Sequence, residues 1–134
     1  RNPQSIRPWQ HVLEPLSGYL RLAERLAVRP RAWAGAWNFG PRAGQPVTTS
    51  RLADLLVREW GEGRWRAIPK KGGPQEARTL RLDSAKARAV LGWRPVLSLG
   101  QAVSLTVEWH RSHAAYAKSC EQIRGYESLA RAKV

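Results

Sequence analysis

Methionine is absent from this chain, cysteine occurs once, at 120, and phenylalanine once, at 39. A lone cysteine excludes an internal disulfide framework and any multi-cysteine metal site. The three histidines, His11, His110 and His113, are too few and too scattered to argue for zinc; His110 and His113 sit at helical spacing, but no acidic partner motif accompanies them. No apolar run approaches membrane-spanning length, and Arg1-Asn2-Pro3-Gln4-Ser5 lacks the apolar core of a signal peptide. Cytoplasmic residence is the expectation, and a chain that opens without methionine reads as a fragment.

Self-sufficient catalytic chemistry is missing too. A dinucleotide site needs closely spaced glycines between a strand and a helix, so that backbone amides meet the pyrophosphate. Neither G-x-G-x-x-G nor G-x-x-G-x-x-G spacing occurs among the eleven glycines. No Tyr-x-x-x-Lys pair exists: four places after Tyr19, Tyr116 and Tyr126 stand Ala23, Cys120 and Ala130. No G-x-S-x-G nucleophile elbow occurs either.

What is present is positive charge. The formal net charge is +13 over 134 residues, and lysine supplies it only at 70, 71, 86, 118 and 133. Such a balance suggests a polyanion partner, since clustered cations neutralise phosphates and release counterions. Here the cations are spread along the whole chain, and heavy arginine usage beside abundant Ala, Gly and Pro is also what a GC-rich coding bias produces. Arginine does suit a diphosphate, which its planar fork grips bidentately.

The length and the 43% hydrophobic content suit one domain with a modest core. Residues 1–11 read as extended. Leu13, Leu16, Leu20, Ala23 and Ala27 recur at helical spacing, predicting a helix from about Leu13 to Ala27 that Pro30 ends. Ala36-Trp37-Asn38-Phe39 reads as a short buried strand. Thr48 or Thr49 caps a second helix whose stripe is Leu52, Leu55, Leu56 and Trp60, and Gly61 ends it. Residues 64–68 alternate as a half-exposed strand, Lys70 to Pro74 form a basic loop, and residues 79–82 a brief strand. Asp83 caps a short helix reaching about Leu91, before Gly92. Ser98-x-x-Gln101 is a capping box for a helix through Leu105 and Trp109, and Ser119-x-x-Gln122 repeats that signal before a last helix. The sum is an α/β set of short strands and about five helices that lacks its main sheet layer.

The densest stretch is Arg7-Pro8-Trp9-Gln10-His11-Val12-Leu13-Glu14-Pro15. Pro8 pushes Arg7 toward extended geometry, and Pro15 suits the first turn of a helix. A rigid cationic and aromatic strip that feeds a helix N-terminus can hold an anionic ligand. The alternative is a helix entry with a surface arginine and a packed tryptophan.

Arg1-Asn2-Pro3, the run from Arg7 through Leu20, and Trp37-Asn38-Phe39-Gly40-Pro41 together resemble one family. Glu76-Ala77, Leu82-Asp83-Ser84-Ala85-Lys86-Ala87, Leu91-Gly92-Trp93-x-Pro95 and Trp109-His110 carry the same resemblance, which covers essentially the whole chain. It is to the C-terminal part of the CDP-glucose 4,6-dehydratases, in the extended short-chain dehydrogenase/reductase superfamily. The resemblance implies that residues 1–134 are a C-terminal nucleotide-sugar-binding subdomain, packed in the parent on an N-terminal Rossmann domain. That domain would bind NAD and carry the catalytic Tyr, Lys and Ser/Thr. NAD would take hydride from sugar C4, water would leave across C5 and C6, and hydride would return to C6, giving a CDP-4-keto-6-deoxyhexose.

By position the resemblance assigns Arg7 to the diphosphate, and Trp9 and His11 to the nucleotide side of the cleft. Asn38 reaches the cleft or fixes the turn after its strand. Glu76 follows a position where relatives often carry His and this chain carries Gln75. Lys70 and Lys71 supply phosphate charge or are solvated, Asp83 is a helix cap, and Cys120 is a buried filler or a bystander on the last helix. The expected ligand set is therefore Arg7, Trp9, His11, Asn38, Lys71 and Glu76, with no catalytic, cofactor-binding or metal-binding residue. The chain alone is expected to be inactive and to bind no cofactor. The rival readings are a basic nucleic-acid-binding module, the sugar-binding portion of a related dTDP- or GDP-sugar dehydratase or epimerase, and a subunit that completes a separately encoded Rossmann partner.

Overall fold

The computed structural model describes residues 2–42, 44, 46–68 and 77–132. Six helices occur among them: α1 (Leu13–Val28), α2 (Pro30–Trp33), α3 (Thr49–Trp60), α4 (Ala85–Ala89), α5 (Leu99–Arg111) and α6 (Ala115–Ala132). The architecture is mostly helical, and the expected α/β character reduces to isolated bridges. Ile6 pairs antiparallel with Thr48 on one side and parallel with Thr79 on the other. On the parallel side the Ile6 amide donates to the Arg78 carbonyl at 2.9 Å, and the Leu80 amide to the Ile6 carbonyl at 3.0 Å. The next rung would need an amide proton on residue 8, which is proline, so the ladder stops after one residue. The segments at 36–39 and 64–68, expected as strands, have no strand assignment and no partner strand among the described residues. The latter is tethered to α3 by Trp65 Nε1, which donates to Asp54 Oδ1 at 2.8 Å.

Capping chemistry sets both ends of α3 and the start of α5. Thr48 Oγ1 accepts from the Arg51 amide at the start of α3, and Gly61 takes φ 87° at its end, a left-handed position that a Cβ would disfavour. The Ser98/Gln101 capping box forms at α5 as expected. The second such signal does not form. Helix α6 starts at Ala115, ahead of Ser119; Ser119 Oγ donates to the Ala115 carbonyl inside the helix and accepts from Trp109 Nε1. Gln122 crosses to α5, donating to the Leu105 carbonyl at 2.7 Å. Ala-Tyr-Ala-Lys at 115–118 favours helix, so the start moved forward. Pro30 likewise opens the one-turn α2 at its N1 position as well as closing off α1.

Three apolar clusters hold these elements. Phe39, Ala87, Leu91 and Trp93 pack beneath α1. Leu55, Val103 and Val107 join α3 to α5. Val96, Leu97 and Tyr126 join the segment before α5 to α6. Gly18 lets the first cluster close, because a methyl group there would overlap the Phe39 ring. The Phe39 ring meets those of Tyr19 and Trp93 edge-on, with centroids 5.4 and 5.1 Å away.

Candidate functional site

The Leu82–Ala87 motif is a clamp on the 36–40 segment. Ser84, 1% exposed, accepts the Gly40 amide on its Oγ at 2.7 Å. Lys86 donates to the Ala36 carbonyl at 2.9 Å and stands 4.0 Å from the centroid of the Trp37 ring. Asp83 accepts the Ala85 amide at 2.8 Å, the capping role expected of it one residue ahead of the Ser84 N-cap. Arg25 and Arg111 also lie over tryptophan rings, those of Trp33 and Trp60. Part of the cationic excess therefore covers indoles of this chain.

Glu14 organises the region beside this clamp. The carboxylate, 1% exposed, accepts from the Val96 amide at 2.9 Å, the Leu97 amide at 2.6 Å and the Tyr126 hydroxyl at 2.8 Å. Ser17 extends the network: its Oγ lies 3.0 Å from the Tyr126 hydroxyl oxygen and accepts from Trp93 Nε1 at 2.9 Å. Burial, more than any neighbour, pushes the Tyr126 hydroxyl well above the ordinary phenol range, so it stays protonated and donates. Glu14 escaped the sequence reading as a functional residue. The available signal was that it is the only acid before residue 24, in the first turn of an apolar helix.

Above this network opens a cleft of about 490 Å³, within the range of small-molecule sites. Arg7, Trp9 and His11 line it together, and Gln10, Arg42 and Arg81 line it as well. Arg7 Nη1 donates to the carbonyls of Ile6 at 2.8 Å and Ala77 at 3.0 Å, which fixes the guanidinium across the bridge between the two segments. Asn38 is exposed and does not line this cleft. Lys71 and Glu76 lie outside the described residues, as do Lys70 and Gln75.

His11 is buried and forms the wall between this cleft and a second, more apolar one of about 450 Å³ near Leu16, Trp109 and Ile123. Its Nδ1 faces the Leu13 amide at 3.4 Å, a long hydrogen bond that places any ring proton on Nε2. Desolvation lowers its pKa from 6.5, so the imidazole is neutral at pH 7. Trp9 Nε1 and Gln10 Oε1 are buried without a hydrogen-bond partner. Cys120 is half-buried and lines neither of these two clefts.

Among the described residues no group of three His, Cys, Asp or Glu is placed to hold a metal ion. Among the described residues the left-handed glycines are Gly35, Gly61, Gly63 and Gly92, which follow helices or sit in loops. Among the described residues no helix is long and apolar enough to cross a membrane.

No family model matches the chain. It is 43% identical over 112 residues to a CDP-glucose 4,6-dehydratase of Salmonella typhimurium, a match covering 84% of this chain and 31% of that enzyme. It is 27% identical over 117 residues to a dTDP-glucose 4,6-dehydratase of Streptomyces griseus, covering 84% of this chain and 32% of that enzyme. The chain thus spans about a third of the length of both relatives. The resemblance visible in its motifs extends over most of its residues, and the chain is homologous to part of a CDP-glucose 4,6-dehydratase.

Proposed function

We propose that this chain is the nucleotide-sugar-binding part of an NAD-dependent CDP-glucose 4,6-dehydratase. The single observation that carries the reading is the 43% identity to such an enzyme over 84% of the chain. The cleft supports it, because Arg7, Trp9 and His11 line one cavity of a size suited to a nucleotide. In this reading Arg7 faces the diphosphate, and Trp9 with the neutral His11 walls the nucleotide. Asn38, Lys71 and Glu76 belong to the same proposed ligand set by resemblance. The hydride acceptor and the proton-transferring groups sit on the remaining two thirds of the enzyme, in a Rossmann domain of the same chain or a companion chain. What these residues supply is binding and orientation, which by themselves do not break a C–H or C–O bond.

Titration of the chain with CDP, dTDP and GDP, followed by tryptophan fluorescence, tests the reading. CDP is expected to bind most tightly, and weakly overall, since half a cleft loses preorganisation. A preference for dTDP or GDP would move the assignment to a related dehydratase. Turnover of CDP-glucose by this chain alone would refute the division of labour. Tight duplex binding with a steep salt slope would favour the nucleic-acid reading instead.

A further inference from the structure

We infer that Arg42 and Arg81 are additional phosphate-binding residues of the cleft, gripping the anionic part of the ligand alongside Arg7. The inference rests on the nucleotide-sugar reading and assigns to the cleft two residues that its motifs did not single out. Both arginines line the cavity and both are exposed. Neither makes a hydrogen bond or ion pair with another described residue, whereas Arg7 is already engaged with two carbonyls. An exposed guanidinium without a partner keeps its five N–H donors available to phosphate oxygens.

Their setting is built rather than incidental. Arg42 follows the 39–41 segment and Arg81 precedes Ser84, and the Gly40 amide joins the two segments by its 2.7 Å bond to Ser84 Oγ. A Cβ on Gly40 would come 2.8 Å from that of Leu82, so the two backbones are in direct apposition. The stems of the two arginines therefore start from one fixed junction. Among the described lining residues the sole acid is Glu14, and its oxygens are taken by the Val96 and Leu97 amides and the Tyr126 hydroxyl. Nothing acidic in the described wall competes with a ligand for these cations. The N-terminal end of α5, through Ser98 and Leu99, lines the same cavity and adds its positive dipole end.

The test is calorimetric titration of the 134-residue chain with CDP, inorganic pyrophosphate and cytidine, at low and at physiological salt. Arg42→Gln and Arg81→Gln are each expected to weaken CDP and pyrophosphate about tenfold and to flatten the salt dependence, with cytidine unaffected. Arg58→Gln, an exposed change on α3 that lines neither cavity, should leave all three titrations unaltered. Thermal melts of the two cleft variants should match the parent; a lowered melt would assign these arginines to folding and overturn the inference. Parental CDP affinity in both variants would also overturn it, and would leave the nucleotide reading standing. Loss of pyrophosphate binding in the variants, with no preference of the parent for CDP over pyrophosphate, would support the arginine pair and sink the nucleotide reading. A parent chain that binds neither CDP nor pyrophosphate would defeat both.

Discussion

The Glu14 carboxylate on α1 accepts a 2.8 Å hydrogen bond from the Tyr126 hydroxyl on α6, across 112 residues of sequence. The same carboxylate receives the Val96 and Leu97 amides, so one side chain joins the first helix, the last helix and the segment that leads into α5. No lysine or arginine contacts it among the described residues. A buried carboxylate held only by neutral donors is a folding constraint that also forms the floor of the cleft.

Removing that acceptor should be costly. Glu14→Ala is expected to lower stability by about 3–5 kcal/mol, because three buried donors lose their acceptor at about 1–3 kcal/mol each, with some relaxation. Tyr126→Phe, which removes one of the three, should cost about 1–2 kcal/mol. Urea denaturation measures both, and an unchanged midpoint for Glu14→Ala would contradict the bonding described.

Gly18→Ala places a methyl group against the Phe39 ring. Overpacking of this kind should cost about 1–3 kcal/mol. Combining it with Phe39→Leu should recover part of the loss, and a double-mutant cycle reads the coupling directly. Strict additivity would show that the two positions do not press on one another.

Stability should fall on the acid side through His11. Its folded-state pKa is depressed by burial, so the unfolded chain takes up the proton first. The His11 contribution is complete above about 6.5 and is lost as the pH drops below that value toward the folded-state pKa. His11→Asn should flatten this part of the curve in denaturation midpoints measured from neutral pH downward. A substituted chain with the parental slope would place the effect in another group.

Lys86 ties the 36–40 segment by one carbonyl bond and one indole face. Lys86→Met keeps the aliphatic stem and removes the charge, and should cost about 0.5–1 kcal/mol. The loss should shrink in high salt, because the site is exposed and screened. An effect indifferent to salt would point to packing of the stem instead.

Local chemistry was legible in the sequence wherever one turn of chain decides it. The apolar period from Leu13 onward, the Thr48 cap, the Gly61 stop and the Ser98/Gln101 box all reappear in α1, α3 and α5. Ser119 and Gln122 have the same spacing as that box, yet they serve the α5–α6 contact. A capping motif states only what its residues can bond, and a neighbouring helix offered these two other partners. The expected strands failed for a related reason: extended residues make a sheet only where another strand meets them, and Pro8 ends the parallel pairing of Ile6 with Thr79.

The cleft divides in the same way. Arg7, Trp9 and His11 face one cavity because a stiff, proline-bounded strip presents them together, and the sequence alone determined that strip. Arg42 and Arg81 join them only through contacts between distant segments, the Leu80–Ile6 and Gly40–Ser84 bonds, and Glu14, on the same strip, is buried only by its clasp of the distant Val96 and Leu97 amides. Backbone stiffness acts over a few residues and can be read from them, whereas burial and apposition depend on which parts of the chain pack together. Only the tertiary structure decided those.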